Sequence, residues 1–264
     1  MPTAGSIDNL LATHPDDSKA SFCGKLAIIS TIVEKERSSW LFVDPRGPLQ
    51  DIDYTRIGHT WFPAFFRLLH EGINNSSLAQ LFENVSFINF NYDRSIEYYL
   101  YDALKRHYWL DDHRAAELMQ SCNIYRPYGK VGKLPWQRTD PSPITVDFGS
   151  DRCDLINAAS QIKTFGESLA ANDQIDAAKG AIAGAERLVF LGFAFHRQNV
   201  ELITPGHACP TKRIFATTFG VSESDRSVID EQLRSLVRSV NATVALKSMK
   251  CCEFIREFQM TFAA

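Results

Sequence analysis

Phe87-Ile88-Asn89-Phe90-Asn91-Tyr92-Asp93-Arg94-Ser95-Ile96-Glu97 sets a short apolar, β-prone run against a polar triplet and then, at once, a helical pattern. In an open α/β sheet a buried parallel strand delivers polar side chains to its carboxyl end in this way, at the edge where small ligands bind. Working outward, the strand spans Val85–Phe90, and Asp93 stands where a helix N-cap would. Ile96, Leu100, Leu104 and Tyr108 then trace the apolar stripe of that helix. Asn91 and Asp93 are the first candidates for chemistry.

The same logic extends along the chain. A helix is predicted from Ser18 to about Arg37, a second from Trp61 to His70, a short one capped by Ser76 or Ser77 through Phe82, and another from Asp112 to Met119. Asn123–Arg126 reads as a short strand closed by Pro127-Tyr128-Gly129. Residues 130–150, with Gly132, Pro135, Pro141 and Pro143, read as an irregular excursion holding a short strand near Thr145–Phe148. In the C-terminal third a helix over Ile175–Ala185 precedes the strand Leu188–Leu191, which runs into Gly192-Phe193-Ala194-Phe195-His196. A strand at Arg213–Thr218, a helix over Ser224–Val237, a strand at Ala242–Leu246 and a helix over Cys251–Phe262 complete the pattern. Such alternation predicts an α/β fold with a doubly wound, mostly parallel sheet and helices on both faces. Residues 1–264 read as one domain, with a mainly helical insert at about 50–84 and 100–121.

Composition narrows the function classes. The 264 residues are 45% hydrophobic and 22% charged, with a net charge of −3 and no basic run, which gives no electrostatic reason to expect nucleic acid or an anionic membrane as partner. No segment approaches the roughly 18 consecutive apolar residues of a membrane span. The start, Met1-Pro2-Thr3-Ala4-Gly5-Ser6, lacks the basic flank and apolar stretch of a secretory signal, so the sequons at Asn74, Asn75, Asn84 and Asn241 carry no weight. Six cysteines without a C-x-x-C pair argue against a zinc ribbon, no metal is expected, and scattered thiols suggest a reducing cytoplasm. Asp111-Asp112-His113 reads as a solvated helix cap, because consecutive positions diverge on a helix. Gly24-Lys25 lacks the remainder of a phosphate loop.

Three segments, in order and spacing, carry a family resemblance. Phe90-Asn91-Tyr92-Asp93-Arg94-Ser95-Ile96-Glu97 resembles the Asn-Tyr-Asp-x-x-x-Glu element of sirtuin-like domains of the divergent bacterial type. Ile124-Tyr125-Arg126-Pro127-Tyr128-Gly129-Lys130-Val131-Gly132 is similar to the family's strand-end His-Gly segment, and Leu188-Val189-Phe190-Leu191-Gly192-Phe193-Ala194-Phe195 to its later apolar strand ending in Gly. The resemblance, over roughly residues 20–262, implies a Rossmann-type domain that binds NAD and breaks the nicotinamide–ribose bond. Relatives without a zinc ribbon often hydrolyse NAD, several of them in antiphage defence.

It also implies roles: Asn91, Asp93 and Tyr128 as catalytic residues, and Asn91, Arg126, Gly129, Gly192, Phe193, Thr217 and Thr218 around the nucleotide. Asn91 would contact the nicotinamide ribose or order the attacking water, and Gly192 would face the same crevice as the Asn91 triplet. The bland alternatives are a capping Asp93, a turn-forming Asn91 or Gly192, and core phenylalanines at 193 and 195. The chain departs from the family at two points. Tyr128 stands where the family has its general-base histidine, and a phenol of pKa ~10 is a poor base at neutral pH. His196, the histidine nearest a strand end, is a candidate substitute. A first strand with a glycine-rich turn is not seen before Ser18, which suggests a start assigned too late or a truncated relative. The alternative function is thus a catalytically inactive module that binds NAD or an ADP-ribose derivative, alone, as a homo-oligomer or with a partner protein.

Overall fold

A computed structural model describes residues 17–48, 51–137, 144–168, 172–239 and 241–263. In chain order it runs α1 (Ser18–Ser38), α2 (Tyr54–Ile57), α3 (Trp61–Leu69), a 3-10 turn at Leu78–Gln80, β1 (Ser86–Ile88), α4 (Ser95–Tyr108), α5 (Asp112–Gln120) and β2 (Asn123–Tyr125). There follow α6 (Leu155–Ala159), α7 (Phe165–Ser168), α8 (Asp173–Gly184), β3 (Arg187–Phe190), α9 (Arg197–Ile203), β4 (Arg213–Thr217), α10 (Glu223–Val237), β5 (Thr243–Lys247), α11 (Cys251–Glu257) and α12 (Gln259–Ala263). The architecture is mixed α/β with short parallel sheets. The chain divides into two compact units, Met1–Gly58 with Gly72–Asn172, and His59–Glu71 with Asp173–Ala264.

In the first unit β1 pairs in parallel with β2, Ser86 opposite Asn123 and Ile88 opposite Tyr125. α1 starts where the Asp17 carboxylate accepts from the amides of Lys19 (3.1 Å) and Ala20 (2.9 Å). Its Ile29 and Val33 join Tyr92, Val131, Val146, Ala158 and Ile162 in one apolar cluster. α4 buries Leu100, Leu104 and Tyr108 as predicted, together with Tyr99 and Ala103, while Ile96 is half-buried. Asp111 caps α5 as predicted, accepting from the Arg114 amide at 2.8 Å.

In the second unit the sheet order is β3-β4-β5, all parallel, with β4 central and buried from Ile214 to Thr217. α3 packs on α11 in the same unit. Its Ala64, Phe66 and Leu69 face inward.

Three expectations need correction. Parallel pairing is distributed over two short sheets among the described residues, one in each unit. The strand placed at Thr145–Phe148 is a single bridge to Lys133. Aromatic stacking fixes this segment and its neighbour instead: Phe148 on Tyr98 at 4.1 Å between ring centroids, Trp136 on Tyr101 at 4.5 Å. The closing helix breaks after Glu257, where the Phe258 amide bonds back to Phe254 and Arg256. The strand and glycine-rich turn sought before Ser18, like Pro141 and Pro143, lie outside the described residues.

Candidate functional site

The residues singled out from sequence fall into two sets, one in each unit. In the first, β1 ends at Ile88 and the chain enters a tight loop, its Asn89 side chain accepting from the Asn91 amide at 2.9 Å. Asp93 accepts from the Ser95 amide at 3.0 Å and so secures the start of α4. Arg126, one residue past β2, donates through Nη1 to the backbone carbonyls of Asn91 and Asp93, both at 2.9 Å. Its Nη2 meets Glu97 Oε2 at 2.5 Å. Arg126 is therefore a buried positioning residue for the loop, where the resemblance placed it around the nucleotide.

Arg94 anchors the loop from the other side. Arg94 and Glu36 are both buried, and Glu36 accepts from the Arg94 amide (2.9 Å), Nε (3.0 Å) and Nη2 (2.5 Å), and from the Gly149 amide (3.1 Å). The remaining Arg94 donors reach the Val146 and Asp147 carbonyls. Every polar atom of this pair has a partner, which is what a charge pair needs in order to survive burial. Tyr92 completes the clamp. Its hydroxyl donates to the Lys163 carbonyl (3.2 Å), and its own carbonyl accepts from the Val131 amide (3.2 Å). With its backbone held along its length, the loop still leaves Asn91 exposed.

Electrostatics beneath the loop centre on Glu97. Burial pushes its carboxyl up, but Arg126 and Lys130 outweigh that and hold it below the usual carboxylate range. Burial likewise pulls the Lys130 ammonium down, against the attraction of Glu97 at 3.3 Å. Tyr128 is half-buried, its ring edge-on to Phe90 (5.7 Å) and tilted against Tyr92 (6.4 Å). Gly129 has φ +78°, and a Cβ there would lie 2.1 Å from the Gln161 carbonyl oxygen. A close pass of the protein's own backbone thus explains this glycine, where the resemblance implied a nucleotide.

In the second set Gly192, at φ +61°, follows β3 and is exposed; a Cβ there would meet only Cys251 Sγ, at 3.8 Å. Its amide donates to Thr217 Oγ1 (2.8 Å), and that hydroxyl donates on to the Phe190 carbonyl (3.4 Å). Thr217 thus ties β4 to the turn after β3. Thr218 is 1% exposed, its amide donates to the Lys247 carbonyl (2.8 Å), and its hydroxyl finds no hydrogen-bond partner among the described residues. Phe193 belongs to an aromatic trio with Phe190 and Phe195. His196 is exposed at the start of α9.

Sequence reasoning missed Glu36, Arg94, Glu97 and Lys130. The Glu97 position was visible within the Asn-Tyr-Asp-x-x-x-Glu element, whereas nothing local marks Glu36. Among the described residues no group of three or more His, Cys, Asp or Glu is arranged to hold a metal ion, and no helix is long and apolar enough to cross a membrane. No family model matches the chain, and neither a curated protein nor a solved structure matches it significantly.

Proposed function

We propose that this protein binds NAD on a Rossmann-like, sirtuin-type scaffold and breaks the nicotinamide–ribose bond with water as acceptor. The observation that carries the reading is the Asn91 loop. Two buried guanidinium groups and Tyr92 hold its backbone in one shape at the carboxyl end of a parallel strand, and Asn91 stays exposed. Ligands gather at such strand ends, and a preformed loop lowers the cost of orienting them. Asn91 orients the nicotinamide ribose or the attacking water, and Asp93 holds the helix start behind it. The ribose passes through an oxocarbenium-like state while nicotinamide, a good leaving group, departs. The protein then contributes mainly orientation and electrostatic support. Purified protein mixed with NAD should release nicotinamide, and Asn91→Ala should abolish the release. A wild-type chain that releases none refutes the hydrolase.

A second reading, an inactive module that binds NAD or ADP-ribose, draws support from Tyr128. The phenol stands where the family keeps its histidine, and its ring meets Phe90 and Tyr92 and packs against the apolar cluster. Heat of binding with ADP-ribose, in the absence of nicotinamide release, would select this reading.

A further inference from the structure

Among the described residues Trp109, Phe195 and Arg238 adopt a left-handed backbone without being glycine. A Cβ in that region crowds the neighbouring carbonyl, so each position carries strain. Burial offsets it for Phe195, which is 6% exposed and packed against Phe190 and Phe193. Arg238 offsets it through its guanidinium, which donates to the Gly206 carbonyl at 2.8 Å. Trp109 offsets nothing. It is 91% exposed, and its indole makes no hydrogen bond or ring contact among the described residues.

The backbone that carries this indole is nevertheless fixed. Trp109 caps α4 (φ +53°, ψ +44°), its amide and that of Leu110 both donating to the Lys105 carbonyl. Glycine is the residue such a cap favours. Asp111 then caps α5, and α4 packs on α5, so the ring stands at the tip of a helical hairpin held at both ends. A large exposed ring on a rigid support is the form a binding anchor takes. Charge selects the occupant. Arg106 is tied to Asp102 and Asp51 (both 2.8 Å), and Arg114 to Glu117 (2.9 Å). There remain half-buried Lys105 before the tip and exposed Asp112 after it, bonded to each other. The tip thus has no excess of cations for an anionic membrane or a nucleic acid. Its opposite charges on the two sides of Trp109 instead complement the same surface turned through a half rotation.

We infer that Trp109 is the centre of a twofold contact between two copies of this chain, indole against indole, with Lys105 of each copy meeting Asp112 of the other. Two indoles remove only about 300–500 Å² from water, less than the roughly 1,200 Å² of a stable complex. The dimer is therefore a weak one that dissociates on dilution. It is independent of the NAD reading, since the hairpin tip holds none of the residues assigned to the nucleotide.

The test is sedimentation velocity of the full chain, from micromolar to near-millimolar concentration at low salt, on the wild type, Trp109→Gly, Asp112→Lys and Lys105→Asp. The wild type should sediment faster as concentration rises. Trp109→Gly should stay monomeric and yet melt about 2–4 °C higher, because glycine relieves the left-handed cap. Asp112→Lys and Lys105→Asp should each weaken self-association roughly tenfold through like-charge contact, and an equimolar mixture of the two should restore it. A wild type monomeric throughout overturns the inference and leaves Trp109 to a foreign partner. Dimers that survive Trp109→Gly, or a mixture that associates no better than its components, overturn it too.

Discussion

Replacing Arg126 by Met keeps much of the side-chain volume but removes the charge 2.5 Å from Glu97 and the donor shared by the Asn91 and Asp93 carbonyls. Glu97 is 2% exposed, so water cannot take over. Breaking a buried pair from one side costs about 3–5 kcal/mol, against a total stability of about 5–15 kcal/mol. Most of that cost is the stranded carboxylate, left with Lys130 at 3.3 Å. Arg126→Met/Glu97→Gln should therefore be more stable than the sum of its single variants implies, by about 2 kcal/mol or more. The effect has a pH signature. Arg126 and Lys130 hold the folded Glu97 below its ordinary value of 4.5 despite burial, so the wild type gains stability above that value and loses it as pH falls through the folded pKa. Without Arg126 the depression is lost. The gap between wild type and Arg126→Met is then widest near neutrality and narrows below about pH 4. Urea titrations at both pH values read this directly. A loss under about 1 kcal/mol at neutral pH, or strict additivity in the double variant, would refute the account.

Gly129→Ala should fail to give folded protein, because the new methyl would sit 2.1 Å from the Gln161 oxygen. Gly72→Ala, at a similar φ of +76° with nothing within 4 Å, should cost only about 1–2 kcal/mol in chemical denaturation. Asn91→Ala should leave the melting temperature nearly unchanged, since the residue is exposed and the clamp holds it by its backbone, while nicotinamide release disappears. A thiol reagent should label Cys23 fastest in the native protein. Cys122, Cys209 and Cys252 are buried, and burial pushes the Cys122 thiol well up, so these should react only on unfolding, as mass spectrometry of labelled peptides would show.

Much of the framework was legible because it rests on local periodicity. The runs ending at Phe90, Leu191 and Thr218 gave strands, and the stripes at residues 96–108 and 224–237 gave helices, each within a few residues. Short helices were another matter. α2 and α6 are only four and five residues long, and the caps that start them, Asp53 and Asp154, read equally well as turn residues. The charged clamp was illegible for a different reason. Glu36 and Arg94 are 58 positions apart, Glu97 and Arg126 are 29, and charged residues read singly belong on the surface. Only the fold makes them partners. For the same reason Arg126 was assigned to a ligand, since no sequence pattern displays its acceptors, the Glu97 carboxylate and two backbone carbonyls.

The division of the chain between the two units has a consequence during synthesis. α3, with Trp61, Phe62, Phe65 and Phe66, is made early, yet the α11 helix it packs against lies roughly 180 positions downstream. At a ribosomal pace of about 5–20 residues per second, that aromatic segment waits on the order of ten seconds or more for its cover. Throughout that interval a sticky stretch hangs from a nascent chain whose neighbouring segments can already collapse. Chaperone dependence of expression, and inclusion bodies relieved by slower growth, are the traits such a layout would confer.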